Sequence, residues 1–320
     1  MKRLLSIFLV IFILLNISAC DLTTDESSET SEFRVMSLYG PTSMGLIELI
    51  DNESDYTFDI VSSPDELAPA LINEEVDLAA VPANLASVLY NRTEGEIQVL
   101  AINTLGAIYI VDRSDSIEEI NDLRDKTLFA SGKGASPEYA LNFILENSGI
   151  DPLLDLQIEW KTEHAECVQA LIEDENAVAM LPEPFITVAQ SKVDDLKVAL
   201  DLEEEWSKVQ QNDSVMLTGV VVGRKSFIEE NPILLEKFFE DYENSVDFVN
   251  SNYRDAADLI EKHGIFEAKV AQKAIPGAKI IFITGETMQV QLSGYLEVLY
   301  AQDPESIGGA LPGDDFYYTQ

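Results

Sequence analysis

Apolar and polar positions in residues 33–320 alternate between two periods. Short runs rich in Val, Ile, Phe and Tyr are followed by stretches whose apolar residues recur three and four apart. Residues 33–38 predict a first strand, broken at Tyr39-Gly40-Pro41, with a helix from Thr42. Residues 56–61 predict a second strand. Ser63-Pro64-Asp65-Glu66 then reads as a helix start, with a serine N-cap, proline at the first helical position and glutamate three residues on. Residues 77–81 predict a buried strand that stops at Pro82. The run 97–112 is too long for one ordinary strand and carries Gly106 near its middle. Residues 126–130, 156–160 and 177–181 predict three more strands, the last stopping at Pro182. Ser136-Pro137-Glu138 opens a helix with Ala140, Phe143 and Ile144 on one face, and Gly149 ends it. Alternating strands and helices predict an α/β fold with mostly parallel sheets.

Two rounds of this pattern match. The first runs strand, Gly40-Pro41-Thr42-Ser43-Met44-Gly45, helix, and later Ala79-Ala80-Val81-Pro82-Ala83-Asn84. The second runs strand, Gly132-Lys133-Gly134-Ala135-Ser136-Pro137, helix, and later Val178-Ala179-Met180-Leu181-Pro182-Glu183. Each round thus offers two loops at the carboxyl ends of parallel strands, where open α/β sheets bind ligands. The last third differs. Residues 215–223 predict a strand, Asn231-Pro232 caps a long helix, and a further helix spans residues 254–263 before Gly264. This block reads as packing.

The first 32 residues change the picture. Met1-Lys2-Arg3 precedes an almost unbroken apolar run over residues 4–15, short of the roughly 20 residues a membrane span needs. It has the proportions of a signal-peptide core, and Ile17-Ser18-Ala19-Cys20 resembles a bacterial lipobox, which implies acylation of Cys20. Residues 20–32 are acidic and hydroxyl-rich, with too little apolar surface to fold, and read as a flexible tether. If Cys20 carries lipid, Cys167 has no disulfide partner and reads as a small core residue. The formal net charge of −38, from 20 basic and 58 acidic residues, repels nucleic acid and anionic headgroups and makes both poor partners.

The lipobox, Gly40-Pro41-Thr42, the stretches Val76–Asn84 and Thr127–Tyr139, and Leu181-Pro182-Glu183-Pro184-Phe185 resemble ABC-transporter substrate-binding lipoproteins, closest to the nitrate, sulfonate, taurine and thiamine-precursor binding group. The resemblance implies a two-lobed, type II periplasmic-binding-protein-like α/β fold with a mixed, mostly parallel sheet in each lobe and a cleft between them. Lobe one would be residues 33–104 plus 225–320 and lobe two residues 105–224, with crossings around 103–106 and 222–225. It implies an extracytoplasmic, lipid-anchored monomer that binds a small molecule, hands it to an importer permease, and needs no cofactor. The alternatives are a ligand-sensing subunit for a membrane receptor, or an enzyme on the same shell like the thiamine-pyrimidine synthase. That enzyme's cysteine-rich iron motif and catalytic histidines are missing here.

The candidate ligand residues follow from strand ends. The Ser131–Ser136 loop is the strongest, with two glycines, Gly132 and Gly134, letting the backbone approach a ligand beside Ala135, a helix start at Ser136, and Lys133 adding charge for an anion; the bland reading is an ordinary turn with a solvated lysine. Thr42 and Ser43 either cap a helix or donate to ligand. Tyr39 either stacks on a planar ligand or covers the core edge, and Asn84 either contacts ligand or caps its own helix. Thr104 at the first crossing and Thr218 near the second complete the polar set. His164 is placed as a cleft hydrogen-bonder; with Cys167 three residues on it supplies two metal ligands, which are not a site. Glu183 suits an amine or cationic ring and opposes an anion, in tension with Lys133.

Overall fold

The computed structural model describes residues 33–52, 56–212 and 214–319, so Cys20, the signal segment and the tether lie outside it. Eleven strands are found among these residues: β1 Phe33–Leu38, β2 Tyr56–Val61, β3 Leu78–Pro82, β4 Ile97–Leu105, β5 Ile108–Asp112, β6 Thr127–Ser131, β7 Gln157–Lys161, β8 Val178–Pro182, β9 Lys197–Asp201, β10 Leu217–Arg224 and β11 Ile280–Ile283. They form a six-stranded sheet, order β11-β4-β10-β3-β1-β2, and a five-stranded sheet, order β7-β6-β8-β5-β9. No helix among the described residues is long and apolar enough to cross a membrane.

The repeat seen in the sequence recurs in the strand order. In one sheet β1 is central to β2 and β3, all parallel, and β3 is followed by antiparallel β10. In the other, β6 is central to β7 and β8, again parallel, and β8 is followed by antiparallel β5. The long 97–112 run splits as expected of its glycine: β4 joins the larger sheet, β5 the smaller, and Gly106-Ala107 make the crossing. A Cβ on Gly106 would lie 2.9 Å from that of Glu203, so the close approach of the Leu202–Val209 helix requires glycine there.

The return differs from expectation. Residues 217–224, assigned from sequence to the second lobe, instead pair with β3 and β4 in the larger sheet. The chain therefore re-enters that sheet before Leu217, not near 222–225. A β-branched apolar run announces a strand but not which sheet it joins.

The caps also separate expectation from outcome. Ser63 Oγ accepts from the Asp65 N–H as predicted for the Pro64–Ile72 helix. Asn231 stands at the N-cap of the Pro232–Ser251 helix but makes no side-chain cap; its amide donates back to the Phe227 carbonyl at 3.0 Å. That helix covers the larger sheet with Leu235, Phe238, Tyr242, Val246 and Val249 buried, and Phe33, Tyr56 and Phe238 meet edge to face. The second helix runs Tyr253–Lys262, with His263 after it hydrogen-bonded to Asp51.

Candidate functional site

Four strands end on one cavity of about 620 Å³. From the larger sheet come Leu38 to Thr42 after β1, and Pro82 with Asn84 after β3. From the smaller come Ser131 with Ala135, Ser136 and Pro137 after β6, and Pro182 to Phe185 after β8. These are the carboxyl ends of the parallel strands, where side chains and helix starts converge because each strand must turn into a helix there. The crossing segment contributes Thr104, Gly106, Ala107 and Ile108, and β10 contributes Thr218.

Nine of the expected residues line this cavity: Tyr39, Thr42, Asn84, Thr104, Ala135, Ser136, His164, Glu183 and Thr218. Three do not. Ser43 is fully buried and donates to the Gly40 carbonyl at 3.0 Å, because its turn of helix faces inward. Lys133 is exposed to solvent. The Gly134 N–H, expected to face an anion, donates instead to Glu138 Oε2 at 2.6 Å, so the loop closes on its own carboxylate. Ser62, Pro64, Met180 and Phe266 line the cavity without having been expected. Phe266 belongs to the C-terminal block read as packing, and no local pattern marks it.

The hydroxyls are oriented by the chain itself. Thr42 Oγ1 donates to the Leu38 carbonyl at 2.9 Å, and Thr218 Oγ1 to the Leu105 carbonyl at 2.8 Å. Ser136 Oγ donates to Asn84 Oδ1 at 2.9 Å. The Asn84 amide is fixed the other way round by Nδ2, which donates to the Ser306 carbonyl at 3.2 Å, so Asn84 does not cap its helix. Thr104 Oγ1 donates to Asn103 Oδ1 at 3.3 Å. Gly219 makes room for this group: a Cβ there would lie 2.4 Å from Asn103 Oδ1 and 2.9 Å from Thr42 Cγ2.

Two titratable groups define the electrostatics. Glu183 is buried, and burial pushes its carboxyl up to about 7, against hydrogen bonds from the Thr187 N–H at 3.2 Å and Thr187 Oγ1 at 3.1 Å. Among the described residues no ion pair reaches it. His164 Nδ1 is 2.5 Å from Ser131 Oγ, and its ring lies 4.8 Å from that of Phe185. Burial lowers the His164 pKa, with Glu163 opposing, which favours the neutral ring. Cys167, beneath it, is fully buried, and burial pushes its thiol up to about 11, so it is neither a ready nucleophile nor an open ligand. No metal-ligand cluster is found among the described residues.

A family model described as "ABC transporter, phosphonate, periplasmic substrate-binding protein" matches residues 42–216. No curated protein sequence matches. Among solved structures, an ABC transporter structure from Parabacteroides distasonis is similar with a TM-score of 0.77 and 22% identity, covering 91% of this chain and 99% of that one. The periplasmic aliphatic sulphonate binding protein SsuA from Escherichia coli is similar at 0.70 and 14%, covering 90% and 92%. The ligand binding component of an ABC-type import system from Staphylococcus aureus, with zinc bound, is similar at 0.65 and 18%, covering 90% and 96%. At these identities the structural likenesses speak for the fold.

Proposed function

Because residues 42–216, more than half of the chain, match that model, the chain belongs to the phosphonate-binding family of ABC-transporter periplasmic substrate-binding proteins, and we propose that it captures its solute in the 620 Å³ cavity. It is the extracytoplasmic solute-binding component of an ABC importer. The observation that carries the assignment of the site is the convergence of four strand ends from two sheets on one cavity, lined by Tyr39, Thr42, Asn84, Ser136, His164 and Glu183. A solute there touches both sheets, so it favours whichever arrangement brings them together by its differential affinity.

On this reading lobe one is residues 33–105 with 217–320, and lobe two residues 106–216, revised from the sequence boundary by the placement of β10. The permease reads the closed pair. The chain acts as a monomer and passes its solute on unchanged, as the substrate-binding role of its family implies. Native mass spectrometry of protein purified without dialysis is expected to show one small molecule per chain. Ala135→Trp, which fills the cavity from its rim, should remove it. A chain that carries no adduct, or an Ala135→Trp variant that keeps one, would count against this site.

We also propose that Cys20 carries the lipid that holds the protein at the membrane. The lipobox-like Ile17-Ser18-Ala19-Cys20 supports this. Cys20→Ala is expected to release the protein into the medium, measured by fractionation; full membrane retention would sink the assignment.

A further inference from the structure

His164 opens the His164–Glu173 helix, and its ring is held at two places before any solute arrives. Nδ1 lies 2.5 Å from Ser131 Oγ at the end of β6, and the ring lies 4.8 Å from that of Phe185 after β8. Nε2 takes no protein partner among the described residues and is not one of their sealed, unpaired polar atoms, while the residue lines the cavity. The ring's free nitrogen is therefore its cavity edge. A neutral imidazole carries one N–H, so the bond at Nδ1 decides whether Nε2 shows the cavity a proton or a lone pair.

The surroundings of Ser131 settle the direction of that bond. Ser131 is buried at 3% exposure, and against it sits Cys167, fully buried and three residues along the histidine's own helix. Burial keeps the thiol protonated at neutral pH, so toward Ser131 it offers S–H and is a poor acceptor. The serine's own proton is left with one good acceptor, His164 Nδ1. The cavity side favours the same arrangement. The charged residues lining it are Glu163 and Glu183, and an N–H turned toward carboxyl oxygens is favoured where a lone pair is not.

We infer that Ser131 is a positioning residue for solute capture: its hydroxyl donates to His164 Nδ1 and so fixes the neutral ring with the proton on Nε2, as a donor for an oxygen of the solute. This rests on the assignment of the cavity as the solute site. It gives a cavity whose lining holds no lysine or arginine a directed N–H backed by a buried hydroxyl.

The chain has two histidines, so nitrogen-15 NMR of the full chain can follow both rings, and the signals lost in His263→Gln assign the others to His164. Near pH 7.5, after exhaustive dialysis, His164 is expected to show a pyridine-like Nδ1 and a pyrrole-like Nε2. Ser131→Ala should move the Nδ1 resonance as its hydrogen bond is lost, and Ser131→Thr, which keeps the hydroxyl, should restore it. Methylphosphonate is the binding probe. It is expected to shift the Nε2–H of the parent and to bind Ser131→Ala at least tenfold more weakly by calorimetry, with Ser131→Thr close to the parent; a lost hydrogen bond to a charged group corresponds to about tenfold or more. A merely structural serine would change the melting temperature and leave the Nδ1 resonance where it was. A pyrrole-like Nδ1 in the parent overturns the inference. So does methylphosphonate affinity that survives Ser131→Ala, or an Nε2 that methylphosphonate leaves unmoved. In each of those cases the co-purified adduct and its loss in Ala135→Trp still stand as the separate test of the solute-binding site.

Discussion

Trp206→Ala is expected to destabilise the protein by about 3–5 kcal/mol, the range for deleting a large buried aromatic. Trp206 is fully buried in the Leu202–Val209 helix. Its ring lies 4.4 Å from Phe143, on the helix that follows β6, and 5.4 Å from Tyr295, on the Gly285–Gln302 helix. Its indole N–H donates to Ser214 Oγ at 3.2 Å. One side chain thus ties a helix of the smaller sheet's half to the C-terminal helix and to the segment leading back into β10. Truncation opens a cavity at that junction, where three separate elements cannot all collapse inward, and leaves Ser214 without its donor. Denaturant unfolding with an unchanged slope should report the loss as a lower midpoint. Trp206→Phe keeps most of the packing and loses only the N–H, so about 1 kcal/mol is expected there. An alanine variant within 1 kcal/mol of the parent would mean that the junction holds without this ring.

The parts of the fold legible in the sequence were those fixed by local chemistry. Strands ending at Pro82 and Pro182 stop where the next N–H would be needed, and their matching positions revealed the repeat that the strand orders β2-β1-β3-β10 and β7-β6-β8-β5 share. What pairs with what was not legible. β10 reads the same from sequence whichever sheet it enters. The edge strand β9, Lys197–Asp201, was missed because charged residues flank only three apolar ones, and only Leu200 is well buried. β11, Ile280–Ile283, is short and only loosely registered on β4.

The same division holds for the site. Topology places Thr42, Asn84, Ser136 and Glu183 at strand ends, and that position alone brings them to the cavity lining. Side-chain direction is set by turns that position does not reveal, which is why Ser43 points into the core and Lys133 into solvent. Of the lysine suited to anions and the glutamate suited to cations, only Glu183 lines the cavity.

That carboxyl should make stability fall as pH rises through a window its glutamine variant lacks. Burial raises Glu183 from 4.5 in a solvated chain to about 7 in the folded protein. Below pH 4.5 both states hold the proton, and the stabilising effect of folding around a neutral carboxyl is fully present. Between about 4.5 and 7 the unfolded chain releases the proton while the folded one keeps it, so stability declines with rising pH. Above 7 both are ionised and the decline ends. The total is on the order of 3 kcal/mol, from about 2.5 pKa units. The groups around Glu183 do not offset it: Thr187 is neutral, and the Tyr109 hydroxyl, pushed up chiefly by burial, donates to the Gly277 carbonyl at 2.8 Å. Asp201 and Glu203 beyond it are paired with Lys279 at 2.6 and 2.8 Å. Glu183→Gln is accordingly expected to match the parent near pH 4 and to exceed it near pH 8. Taking the difference between the two proteins at each pH cancels the titration of the other carboxylates, which both share. A difference that stays flat from pH 4 to 8 would mean that Glu183 is not held neutral by its surroundings.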